Sequence, residues 1–299
     1  MPQRRGWWIE AQRFAAQKLH QVRSAMRLRA YVLAADPAWL ETSMQSYYDI
    51  VEKIVVSYDR NKVGWTGHPL PIDECIDRAK SIDKDKKMEF APGDFAILSN
   101  SPMENETRQR REALALAGDA DWVFQLDTDE VVTQPASLYR RLAALPASTR
   151  CVRWPMRSLF QRAADGRYLE VCSKWGGHVE EYFSIAVRPG TTLVEARFTF
   201  EETVPFRSWT LSRESLLNSN CRLARSETML HFSWVRSEEQ MMRKLRSWGH
   251  SRDFETDRYY REVWLRAATD WTTLRDFHPM TPPTWPRLRP VALPYAPNW

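Results

Sequence analysis

The sequence predicts an α/β domain with a mostly parallel central sheet flanked by helices, and a small antiparallel sheet in its second half. Three observations predict it. Apolar runs alternate with helical stretches through the first 130 or so residues, the order of parallel βαβ units. Residues 122–126 (WVFQL) form a short continuous apolar run, as in a strand buried on both faces. From residue 150 to 190 the pattern alternates instead, as antiparallel strands do. With 299 residues, 43% apolar and 27% charged, the chain suits one large α/β domain, or one domain plus a smaller appendage, and its composition argues against disorder.

The elements follow in order. Residues 1–27 are basic and helical in pattern, with Trp7, Trp8, Phe14, Leu19, Val22 and Met26 at roughly helical spacing. Two readings stand: a helix lying in an anionic membrane surface, or one packed on the domain. A strand is expected over 28–34, then Asp36-Pro37 as cap and first turn of a helix to Tyr48. A second strand over 53–58 (KIVVSY) ends at Asp59. A helix over 72–82, a short strand over 88–90 and a helix over 104–117, stopped by Gly118, come next. After 122–126 the sequence predicts a helix over about 137–144, the antiparallel stretch, and a last clear helix over 238–248. Beyond Phe277, Pro279, Pro282, Pro283, Pro286, Pro290, Pro294 and Pro297 predict an extended tail, draped over the domain or loose. The expected boundaries are 1–27, 28–276 and 277–299.

Composition narrows the chemistry. Ten glycines are too few to favour a Gly-rich phosphate loop. Cys75, Cys151, Cys172 and Cys221 have long irregular spacings, which argues against zinc. No run reads as a secretory signal or a bilayer span, so a cytoplasmic protein with reduced thiols is expected, peripheral at the membrane if residues 1–27 lie on it. The net charge of +5 suits a polyanionic ligand or an anionic surface, and no nucleic-acid module is recognisable.

The most informative residues are Asp127-Thr128-Asp129-Glu130, directly after the apolar run. Carboxylates at the carboxyl end of a central parallel strand lie where open α/β sheets bind ligands. Residues i and i+2 of an extended segment share a side, so Asp127 and Asp129 suit Mg²⁺ or Mn²⁺ shared with a diphosphate. An acidic turn is the plain alternative; the strand before it and the βαβ unit upstream favour the metal.

This order of elements, with Asp59 closing the second strand and an apolar strand running into D-x-D-E, resembles the family 2-type glycosyltransferases with the GT-A fold over about residues 28–132. The resemblance implies a GT-A-like, Rossmann-type sheet and transfer from a nucleotide-diphosphate sugar, in the first instance a UDP-sugar, to a glycan, lipid-linked or small-molecule acceptor. It implies that Asp59 contacts the nucleoside and that Asp127 and Asp129 hold the metal and sugar-diphosphate. It also implies an arginine from the preceding helix, Arg108 or Arg111. The chain departs from the family at Ala34-Ala35-Asp36, where a Pro-x-Tyr or Pro-x-Asn strand end is usual, and this weakens the nucleoside contact expected there.

Residues 231–250 come next. The run K-x-x-S-x-x-H at Lys244, Ser247 and His250 resembles the C-terminal part of GT-A enzymes that add a bisecting N-acetylglucosamine. That resemblance implies His231 completing the metal site and Lys244 neutralising the diphosphate. The chemistry is sensible alone: imidazole joins carboxylates around Mn²⁺, and ammonium pairs with phosphate. A lone histidine is otherwise a structural residue, and a helical lysine a solvated one.

An inverting transfer needs a carboxylate to take the acceptor's proton. Glu180 and Glu181, after Gly176-Gly177, resemble the acceptor-side G-G-x-x-E-E of the family, and Glu181 is favoured; Glu201 and Glu202 are further candidates. A retaining reaction would need no such base. Trp154, Trp175 and Trp209 could stack on a sugar or fill the core. Two rivals remain. A sugar nucleotidyltransferase would carry a Gly-rich loop where Ala34 to Pro37 stand. A nucleotide-sugar-binding or assembly protein would have the acids without catalysis.

Overall fold

The computed structural model describes residues 26–208 and 221–293. All but the end of the helix expected over 1–27, Trp209, and the last six residues of the tail lie outside the described residues.

Strand β1 (Leu28–Leu33) is buried along nearly all its length, as a strand covered on both faces must be. Helix α1 (Leu40–Tyr48) returns the chain to β2 (Ile54–Asp59), which pairs with β1 in parallel. The helix starts later than Asp36-Pro37 suggests. Asp36 Oδ1 accepts from Ala38 N at 2.9 Å, an Asx-type turn upstream of the helix, and Trp39 is the N-cap without a side-chain bond. Helix α2 (Ile72–Ile82) crosses to β3 (Met88–Gly93), parallel to β2 and longer than expected. Helix α3 (Pro102–Ala117) begins at Pro102 rather than Glu104, because Ser101 and Glu104 form a reciprocal capping box around it. Strand β4 (Trp122–Gln125) then pairs in parallel with the other side of β1. The order β3-β2-β1-β4 reverses between β1 and β4, which opens a crevice at their carboxyl ends.

After β5 (Glu130–Val131) and α4 (Pro135–Ala143) come the expected antiparallel strands β6 (Cys151–Arg162), β7 (Tyr168–Cys172) and β8 (Glu181–Val187). They are not a separate sheet. Strand β8 pairs with β4, β6 with β8, and β7 with β6, so one sheet continues across. Strands β9 (Thr203–Pro205) and β10 (Met229–His231) run parallel to β6, and β10 also pairs antiparallel with β5. The protein is thus mixed α/β, with a mostly parallel centre flanked by helices.

Helix α5 (Glu238–Ser247) is followed by a helical run over Thr256–Tyr259, a π turn at Tyr260–Trp264, and Leu265–Asp270. Strand β11 (Arg287–Val291) closes the sheet against β7. Pro290 is tolerated because an edge strand has a side on which no donor is needed. The described part of the Pro-rich stretch is therefore draped and ordered: Phe277, Trp285 and Leu288 pack with Phe160, Trp234 and Met241 in a second core. The main core lies between the sheet and helices α1 and α4. All four cysteines are free thiols. Among the described residues no helix is long and apolar enough to cross a membrane.

Candidate active site

A cavity of about 470 Å³ opens at the carboxyl ends of β1 and β4, within the range that small-molecule sites occupy. Asp36, Asp59, Asp127 and Asp129 reach it from strand ends, and Glu181, His231 and Lys244 from the later elements.

The D-x-D acids are held by arginines. Asp127 Oδ1 accepts from Arg110 Nη2 at 2.7 Å, and Asp127 Oδ2 lies 3.9 Å from Arg197. Asp129 Oδ2 accepts from Arg236 Nη2 at 2.9 Å, and Arg236 also pairs with Asp36 at 2.7 Å. Burial opposes charge on Asp129, yet the neighbouring His231 and Arg236 outweigh it and hold the carboxyl well below the usual carboxylate range. The same contest, with Arg110 and Arg197 winning, lowers Asp127. Glu130, the third acid of the motif, turns away from the cavity. It is fully buried, accepts from both terminal nitrogens of Arg197 and caps the Asp127 amide at 3.1 Å.

His231 closes β10, whose antiparallel pairing with β5 sets it opposite Glu130. Its Nε2 is 3.6 Å from Asp129 Oδ1. That oxygen is buried without a hydrogen-bond partner, and so is His231 Nδ1. Among the described residues no three His, Cys, Asp or Glu side chains converge as a cation's shell. The orphaned Asp129 oxygen faces an imidazole and Asp127 lines the same cavity, and carboxylate oxygen and imidazole nitrogen are donor types that Mn²⁺ takes.

Lys244 reaches the cavity from α5 and donates to Ser233 Oγ at 2.9 Å, with Trp248 beneath its ammonium at 5.2 Å. Burial and the Arg236 guanidinium pull its pKa down to about 8, against the attraction of Asp129 and Asp36. Among the described residues it has no carboxylate in ion-pair contact. Ser247 and His250 also line the cavity, but Ser247 donates to Arg243 O along its own helix and His250 Nδ1 pairs with Asp253 at 2.6 Å.

Asp59 lines the cavity, with both oxygens engaged by backbone amides: Asn61 N at 2.9 Å, Phe95 N at 2.7 Å and Ala96 N at 3.1 Å. It has one of its roughly four lone-pair directions left for a ligand. Of the three arginines of α3, Arg110 lines the cavity, and Arg108 and Arg111 do not. Arg108 pairs with Glu112 and donates to Asp94 O, and Arg111 donates to Leu193 O, outside the cavity. Arg110 sits on the buried face of the helix, paired to Glu106 at i,i+4.

Glu181 lines the cavity; Glu180 does not. Trp285 Nε1 donates to Glu181 Oε1 at 2.9 Å, and Ser158 Oγ donates to Oε2. Glu180 is enclosed by Tyr182 Oη, His178 and Ser208. Glu201 pairs with Arg150, away from the cavity. Trp154 is a core residue bonded to Glu227 O, and Trp175 is 96% exposed in the β7–β8 turn, where Gly176 takes φ 80°. The indoles that do line the cavity are Trp65, Trp234, Trp248 and Trp285, none of which the sequence singled out.

No protein-family profile matches the chain, and no curated protein does. Among solved structures, one match is the crystal structure of glucosyl-3-phosphoglycerate synthase from Mycobacterium tuberculosis in complex with Mn²⁺, uridine diphosphate and phosphoglyceric acid. It is 14% identical with a TM-score of 0.31, and the match covers 50% of this chain and 48% of that one. The match thus spans about half the length of that protein. A likeness of that extent carries no argument about fold or site, both of which rest on the geometry above.

Proposed function

We propose that the protein is a divalent-metal-dependent glycosyltransferase that takes its sugar from a nucleotide-diphosphate donor, in the first instance a UDP-sugar, with inversion. One observation carries the reading. Asp127 and Asp129 leave the end of a buried central parallel strand at the switch point of the sheet, lining a ligand-sized cavity that also holds His231 and Lys244. The acceptor is a glycan, a lipid-linked molecule or a small hydroxylated molecule. Contact of residues 1–27 with an anionic membrane belongs to the same reading.

A cation held by Asp129, His231 and Asp127 would neutralise charge building on the departing diphosphate. The chain's own residues do the rest. Arg236 fixes Asp129 by one oxygen and leaves the other free. Lys244, with no carboxylate partner among the described residues, offers its ammonium to the phosphates. Glu181, held by Trp285 and Ser158, takes the proton from the acceptor hydroxyl. The test is Mn²⁺-dependent turnover of a panel of UDP- and GDP-sugars by the purified protein. Turnover that disappears with a chelator and returns with Mn²⁺ is expected. Absence of both turnover and metal-dependent nucleotide binding would leave the reading without support.

The Lys244 assignment predicts a pH dependence. The ammonium form binds diphosphate, so UDP affinity should be full below about pH 8 and decline as pH rises through it. Lys244→Met should weaken binding at pH 7 and flatten the alkaline limb. An unchanged alkaline limb in the variant would assign that limb to another group.

A further inference from the structure

The segment from Phe277 to Val291, which the sequence reads as tail, supplies one wall of the cavity through His278, Met280 and Trp285. Its backbone is preset by prolines: a 3₁₀ turn over Pro282–Thr284 follows Thr281, and Trp285 then enters the second core. From that core its indole N–H reaches Glu181. His278 packs edge-on against the same indole, ring centroids 4.5 Å apart.

The tautomer of His278 follows from its partners. Its Nδ1 accepts from Thr281 N at 2.9 Å and from Met280 N at 3.2 Å. Backbone amides only donate, so Nδ1 must carry a lone pair and the ring proton must sit on Nε2. Protonating Nδ1 would break both bonds and leave two amides unpaired. Burial also pushes the His278 pKa down, against the pull of Glu181, so the neutral ring is the form present at pH 7. Nε2–H has no hydrogen-bond partner among the described residues. A neutral donor of fixed tautomer on the wall of a sugar-sized cavity, near the carboxylate that receives the acceptor's proton, has the chemistry to hold a hydroxyl oxygen.

We propose that His278 is a substrate-binding residue whose Nε2–H donates to a carbohydrate or acceptor hydroxyl beside Glu181. The inference rests on the glycosyltransferase reading above. It differs from a purely local role in turning the chain at Thr281, and two variants separate them. His278→Asn keeps an acceptor where Nδ1 stands and removes the Nε2–H. His278→Gln returns an N–H to roughly the Nε2 position.

The experiment measures Mn²⁺-dependent binding of UDP, GDP and their sugars by calorimetry, together with sugar-nucleotide hydrolysis in which water takes the acceptor's place. His278→Asn should match the wild type in thermal stability and in nucleoside-diphosphate affinity. If the oxygen belongs to the donor sugar, the extra affinity of the sugar nucleotide over the diphosphate should fall about tenfold, the value of one hydrogen bond. If it belongs to the acceptor, that affinity should hold and the hydrolysis kcat should fall about tenfold instead. In either case His278→Gln should recover part of the loss. A His278→Asn protein unchanged in both sugar-nucleotide affinity and kcat, or one changed only in stability, overturns the inference. Wild-type protein that binds no nucleoside diphosphate overturns the parent reading and this one with it, and that outcome is seen before any variant is made.

Discussion

Asp129→Ala is expected to remove Mn²⁺-dependent binding of UDP, by more than about 100-fold, the upper figure for losing merely a group that supports a metal ligand. The reason lies in how the two oxygens are used. Arg236 holds Oδ2, and Oδ1 faces His231 unpaired. The variant removes the free donor and also the anion that lets His231 and Arg236 sit close together. The fold should persist, because Arg236 keeps Asp36 as its partner at 2.7 Å and donates to the carbonyls of Phe232 and Ser233. Circular dichroism and the unfolding midpoint check the fold, and titration with Mn²⁺ and UDP checks the site. Metal-dependent binding that survives in a folded variant would remove Asp129 from the metal site and take the proposed mechanism with it.

The second large effect concerns stability. Arg197→Met should destabilise the protein by about 3–5 kcal/mol, the cost of breaking a buried ion pair by removing one partner. Glu130 is fully buried, and its carboxylate is clamped by the two terminal nitrogens of Arg197. Without the guanidinium, the Asp127 amide is its remaining partner among the described residues. Methionine fills much of the volume over Phe183, where the guanidinium now lies 4.6 Å from the ring centroid, so lost charge rather than lost packing should dominate. Adding Glu130→Gln should recover much of the loss, since the buried group is then neutral. Urea unfolding of the single and double variants measures both. A single variant within about 1 kcal/mol of wild type would mean that Glu130 has other partners when Arg197 is gone.

The parallel half of the fold was legible because its cues are local. The run of residues 54–59, helix 72–82 and the strand 122–125 each announce themselves by burial pattern or period. Misplaced starts have local causes too. The S-x-x-E box at Ser101 and Glu104 was a readable signal for an earlier start to α3. Arg110 was harder. The buried face of that helix carries Asn105, Glu106, Gln109 and Arg110 beside Ala113 and Leu114, so its period is hidden from any reading that counts only apolar residues. The cavity tryptophans were hidden likewise, since an indole that lines a cavity and one that fills a core look alike in sequence.

The amino-acid order alone determined that a buried strand would run into Asp127 and Asp129, because strand burial is a property of the local chain; the acids themselves stand in a turn closed by Glu130 N on Asp127 O at 3.2 Å, not on the extended segment that a two-residue repeat assumes. Tertiary structure decided which partners those acids meet: Arg110 from α3, Arg236 from beyond β10, and His231 through the pairing of β10 with β5. It also decided that the proline-rich segment would bring Trp285 to Glu181 across a sequence distance of 104 residues. Contacts of that span depend on strand order and on which surfaces bury one another, and no local pattern of residues encodes either.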